Sequence, residues 1–201
     1  MSYVENMDRE WCAEPKAREL SSALGILELQ PVLAVRQLEA LAAEGSALAM
    51  LYLGDTFANA RGVTRDVTLG FSWYQKAAGA GSIEAAHRVA FFYYHRGMFT
   101  ECLETLTSLS KGCFIPSIYC LGLLYFNGTG VSKDIGESIR YWNLAAANGH
   151  LNARRRISII LRSGEFGLTG RLAGFAKLAR LFVPYMIYWL KYPSGDRLRG
   201  W

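Results

Sequence analysis

Apolar residues recur along most of this chain at steps of three and four, the spacing that gathers them on one face of an α-helix. Val32, Val35, Leu38, Leu41 and Ala42 form one such stripe, with Pro31 just before it and Gly45 just after. A proline suits the first turn of a helix, where its missing N–H costs nothing, and a glycine past the last turn closes one. The pattern predicts helices at Val32–Glu44, Leu48–Ala58, Asp66–Ala78, Glu84–His95 and Phe99–Leu109, another pair between Cys113 and Gly149, and one over His150–Arg162. A weaker helical pattern precedes Gln30-Pro31. Residues 1–16 are polar without a clear period, which predicts a loose lead-in.

The helices come in copies. Leu121-Gly-Leu-Leu-Tyr-Phe-Asn-Gly-Thr-Gly-Val-Ser-Lys-Asp134 returns 68 positions earlier as Leu53-Gly-Asp-Thr-Phe-Ala-Asn-Ala-Arg-Gly-Val-Thr-Arg-Asp66. An aromatic pair, Ala-Ala and a closing glycine follow in register both times, as Trp73-Tyr74…Gly81 and Tyr141-Trp142…Gly149. Such a period marks a repeat architecture. In the loop, Gly62 is expected to take positive φ, Asp66 to cap the next helix, and Val63 to pin the loop to the core. Phe71, Trp73, Tyr74, Ala77 and Ala78 read as packing residues. The middle unit, Ser82–Gly112, keeps helix–turn–helix but lacks the loop; the stretch ending at Gly45 is a worn first repeat that caps the array.

The Leu-Gly, Gly-x-Gly-Val-x-x-Asp and Trp-Tyr-x-x-Ala-Ala-x-x-Gly elements of Ala49–Gly81 and Ser117–Gly149 resemble the Sel1-like repeat family, a branch of the tetratricopeptide superfamily. The resemblance covers about residues 17–152. It implies an all-α, right-handed α-solenoid of about three and a half repeats, whose first (A) helices line a concave face that holds another protein. It transfers no catalytic residue, no cofactor and no metal ligand. Its disulfide-bearing secreted members differ from this chain, which lacks their cysteine pairs. Adaptors of this family work around bacterial envelope and polysaccharide machinery and in signalling, so a regulatory scaffold there is expected. Positions that vary between repeats are the candidate partner-reading residues: Asp55, Asn59, Arg88, Phe91, His95, Leu123 and Asn127.

Charge divides the chain. Up to Ala153 there are 12 basic residues against 15 acidic, whereas from Arg154 there are 10 against 2. Residues 153–201 therefore form a basic tail on a mildly acidic body. Within it Leu168–Leu190 has an apolar face that includes Leu172, Phe175 and Phe182, with Lys177 and Arg180 opposite and Trp189 near its end. Its longest uncharged run, Leu181–Leu190, is half of what a spanning helix needs. Four readings stay open: a C-terminal cap, an interfacial helix on an anionic membrane, a true span, or a partner-binding or self-associating helix. The apolar residues between Arg154–Arg156 and the later cations argue against nucleic acid.

The four cysteines show neither a CxxC pair nor zinc-finger spacing, and no apolar leader opens the chain, which points to a reducing, cytoplasmic setting, with the tail at the inner face of the membrane in the anchored case. Of the three histidines, His87, His95 and His150, the first two lie two turns apart on one helix without a carboxylate at i+4 and read as ordinary polar positions. Gly128-Thr-Gly-Val follows no strand and is not a phosphate loop. The sequence thus points to a binding protein and away from an enzyme.

Overall fold

The computed structural model describes residues 3–163 and position 176. Among the described residues there are ten α-helices and no strand: α1 (Tyr3–Ala13), α2 (Ala17–Gly25), α3 (Pro31–Ala43), α4 (Ala47–Ala58), α5 (Val67–Gly79), α6 (Ile83–His95), α7 (Phe99–Lys111), α8 (Ile115–Asn127), α9 (Ile135–Ala147) and α10 (Leu151–Ser163). The chain forms two compact units, one of Val4–Thr105 and one that begins at Leu106, so the boundary falls inside α7.

Local chemistry sets the helix starts. Ser46 and Ser82 each accept from the N–H three residues on, Ala49 and Ala85, at 3.0 and 3.2 Å. Asp66 and Asp134 do the same for Leu69 and Glu137, at 2.8 and 2.9 Å. These bonds satisfy N–H groups that have no partner within the helix. The A-to-B loops share a closing bond: Asp66 N–H donates to the Phe57 carbonyl and Asp134 N–H to that of Tyr125, both at 2.9 Å. Gly62 takes φ +71 as expected, and Val63 is half-buried. The close approach is at Gly62 itself, where a Cβ would lie 2.6 Å from Pro31 Cβ.

In the first unit, Leu20, Leu38, Leu51, Leu53, Ala77 and Ala85 form the centre of the core. In the second, Ile118, Tyr119, Trp142, Ala145 and Ile157 do so between α8, α9 and α10. Gly54 lets Tyr74 lie against α4, and Gly122 lets Trp142 lie against α8. Gly70 brings α5 against the backbone of α4, since a Cβ there would meet Ala58 N at 2.9 Å.

Two expectations change. Within the stretch expected to be a loose lead-in, Tyr3–Ala13 forms α1, because Met7 and Trp11, one turn apart, pack on the core of the first unit and Asn6 is fully buried. The middle unit closes at Cys113, φ +59, rather than at Gly112; the positions that close the other units, Gly45, Gly81 and Gly149, are all glycines with positive φ.

Candidate functional site

Within the first unit, α4 and α6 are the two A helices, and α1 lies over their first turns. Trp11 Nε1–H donates to Tyr52 Oη on α4 at 3.2 Å. Glu14 Oε2 accepts from Ser46 Oγ at 2.7 Å, at the start of α4. One turn earlier on α1, Glu10 accepts from Ser82 Oγ at 2.9 Å and from Ile83 N–H at 3.1 Å, at the start of α6. Two carboxylates thus meet the positive ends of α4 and α6, where negative charge is favoured. Asn6 Nδ2–H steadies Glu10 at 2.9 Å. A cleft of about 350 Å³ borders this contact, lined by Glu10, Glu14, Lys16, Glu44, Ser46 and Ser82. Lys16 and Glu44 form an ion pair at its edge.

Deeper in α4–α6, Asp55 accepts from Tyr74 Oη at 2.7 Å. Glu84 is only 3 % exposed, and its Oε1 pairs with Arg88 Nε at 3.1 Å while Oε2 has no hydrogen-bond partner. Burial pushes the Glu84 carboxyl up to about 7; Arg88 opposes the shift, and Asp55 and Glu10 add to it. Burial holds His87 down at about 4, so it is a desolvated neutral imidazole rather than an ordinary surface histidine.

The partner-reading candidates scatter. Asp55 is committed to Tyr74, and Arg88 pairs with Glu84. Asn59 is exposed at the end of α4, its side chain donating to the Asp55 carbonyl. Phe91 and His95 are exposed and packed edge to face on α6, ring centres 4.2 Å apart. Tyr94 stands beside them, 5.5 Å from His95, and Met98 is exposed just beyond. In the second unit Asn127 is exposed, but Leu123 is a core residue at 9 % exposure, because that face of α8 packs on α9. Trp11, Glu10, Glu14, Tyr52 and Glu84 were missed; the Met7/Trp11 and Glu10/Glu14 pairs at i, i+4 were the available signal. His150 has a structural place, since its Nδ1 accepts from Ala153 N–H at 3.2 Å and caps α10. The tail residues Leu172, Phe175, Lys177, Arg180, Phe182 and Trp189 lie outside the described residues.

Among the described residues no group of His, Cys, Asp and Glu is placed to hold a metal, and no helix is long and apolar enough to cross a membrane. The sequence model of the Sel1 repeat matches residues 47–82 and 115–150. The chain carries Sel1 repeats. They are the segments built on α4–α5 and α8–α9, each with its glycine-seated ring. Solved structures agree on the fold. A protective antigen present in uropathogenic Escherichia coli strains, displaying an SLR fold, is 24% identical with TM-score 0.61, over 74% of this chain and 33% of the other. This chain thus spans about a third of that protein's length. A Sel1 repeat protein from Oxalobacter formigenes is 20% identical with TM-score 0.62, over 81% of this chain and 71% of the other. These likenesses establish an all-α repeat fold. No curated protein matches the chain. Sel1 repeats generally mediate protein–protein interaction and typically build non-enzymatic scaffolds.

Proposed function

We propose that this Sel1-repeat chain is a non-enzymatic adaptor that holds a partner protein on the A-helix face of α4 and α6. The observation that supports it is the cluster of Phe91, Tyr94, His95 and Met98, exposed at the far end of α6 from the turns that α1 covers. Aromatic and methionine side chains exposed together mark an interaction surface, and aromatics are over-represented among residues that dominate binding energy. Asn59 supplies a polar edge. Capture of interacting proteins with the wild-type chain and with a Phe91→Ala/Tyr94→Ala variant of unchanged circular dichroism tests this. A partner held by the wild type and lost by the variant supports the reading; identical sets sink it.

The tail carries a second part of the proposal. Its excess of basic residues, with Trp189 and three tyrosines, supports attachment to an anionic membrane surface, which would place the adaptor at envelope or polysaccharide assembly. The rival is that Leu168–Leu190 only caps the repeats. Sedimentation with anionic vesicles separates them: salt-sensitive binding by the full chain, absent from a chain ending at Gly164 that stays folded, supports the anchor. Loss of helicity in the shorter chain supports the cap.

A further inference from the structure

We propose that α1 is an exchangeable occupant of the α4–α6 face, and that the partner docks there with a helix of the same kind, carrying two carboxylates four residues apart beside an aromatic side chain. This rests on the reading that the A-helix face binds protein, and it names the chemistry of what binds.

Three observations carry it. First, α1 and the residue after its last turn touch the face through side chains alone: Glu10 at the start of α6 and Trp11 on Tyr52 from the helix, and Glu14 at the start of α4 from the turn that follows. Second, the helix starts that form the seat are capped without α1. Ser46 and Ser82 cap their own helices through Ala49 and Ala85 whether or not a carboxylate sits above them. Departure of α1 leaves one backbone N–H, that of Ile83, without its acceptor; the Ser46 and Ser82 hydroxyls and Tyr52 lose side-chain partners, and Met7 and Trp11 leave the edge of the core. Third, α1 has little to hold it by itself. It is 11 residues long, and isolated helices of that length are marginal in water. Glu14-Pro15-Lys16 follows it, and a proline disfavours helix at the residue before it, so α1 is not continued into α2.

A partner helix with the same two acids would meet the same two positive helix ends. Lysine or arginine at either place would be repelled by them. Charge therefore selects an acidic helix, and Tyr52 selects an aromatic between its acids.

The probe is a fluorescein-labelled peptide of residues 3–16, titrated into the full chain and into a full-chain Glu10→Gln/Trp11→Ala/Glu14→Gln variant. The expected result is at least tenfold tighter binding to the variant than to the wild type, with no binding by a peptide carrying the same three changes. Hydrogen exchange on the unaltered chain is the second measurement, because the variant can lose its fold. Amides of residues 6–13 are expected to exchange at least 100-fold faster than those of α4, through local opening. Equal peptide binding to both chains, or exchange of α1 only at the rate of α4, overturns the proposal. A concentration-dependent dimer that the peptide dissociates would assign the seat to a second copy's α1 and also overturns it. Should Phe91→Ala/Tyr94→Ala fail to release a partner while the peptide exchanges as expected, only the aromatic-patch reading is lost.

Discussion

Gly54 and Gly122 face rings of different size in equivalent places. A Cβ on Gly54 would lie 2.5 Å from Tyr74 Cδ1, and one on Gly122 2.5 Å from Trp142 Cδ1. Trp142 is fully buried, with its indole N–H on the Tyr119 carbonyl at 3.1 Å, so it has no room to swing aside. Gly122→Ala should cost about 3 kcal/mol, the upper end for an overpacked core, in urea unfolding. Ala60 shows the opposite case. It holds φ +56 where the second Sel1 repeat has Gly128 at φ +72. A Cβ in that region is unfavourable, so Ala60→Gly should raise stability by up to about 1 kcal/mol. The buried ionisable groups set the pH dependence. Glu84 rises from 4.5 to about 7, so across that window the folded chain holds a proton the unfolded chain has lost, and stability falls as pH rises. His87 and His150 fall from 6.5 to about 4, so between those values the unfolded chain holds the extra protons, and stability rises with pH. The two trends offset each other below about 6.5. Glu84→Gln removes the falling one, so its stability relative to wild type should improve between pH 4.5 and 7.5 by on the order of 3 kcal/mol. A difference independent of pH would refute the buried carboxyl.

At the scale of elements, the caps were readable because they depend on a few adjacent residues. Asp66 precedes its helix in sequence and caps it in space, and the same bond recurs at Asp134. Asp134→Ala and Asp66→Ala should each lower stability by about 1 kcal/mol, measured by thermal unfolding. The helix spans followed from spacing of three and four within a residue or two. What spacing did not reveal was which face of an exposed-looking helix meets another. Leu123 varies between repeats, as a ligand-reading position would, yet its place on α8 is filled by α9. Residues 3–13 looked polar because Glu5, Asp8, Arg9 and Glu10 outweigh Met7 and Trp11 in composition. Two apolar side chains and two seated carboxylates are enough to fix α1, because tertiary packing rather than propensity stabilises most protein helices.

At the scale of the molecule, the repeat register made the all-α architecture legible, since framework residues return every 68 positions. The candidate site was legible only in part: Phe91, His95, Asn59 and Asn127 are exposed, whereas Asp55 and Arg88 are engaged in internal bonds. The cysteines give a reporter of global unfolding. Cys12 and Cys113 are exposed, while Cys102 is 1 % exposed and burial pushes its thiol up to about 11. At pH 7.5 a thiol reagent should modify Cys12 and Cys113 promptly and Cys102 only as fast as the first unit opens. Prompt modification of Cys102 would contradict the packing of α7. The two seated acids have a mechanical meaning as well. Glu10 lies within α1 and Glu14 in the turn just past its end, yet they grip the starts of two successive repeats. The two grips tie the start of α4 to the start of α6, so α1 acts as a gauge of the spacing between them. Bending between α4 and α6 would break one grip first, and tension along the array would be read as release of its N-terminal helix.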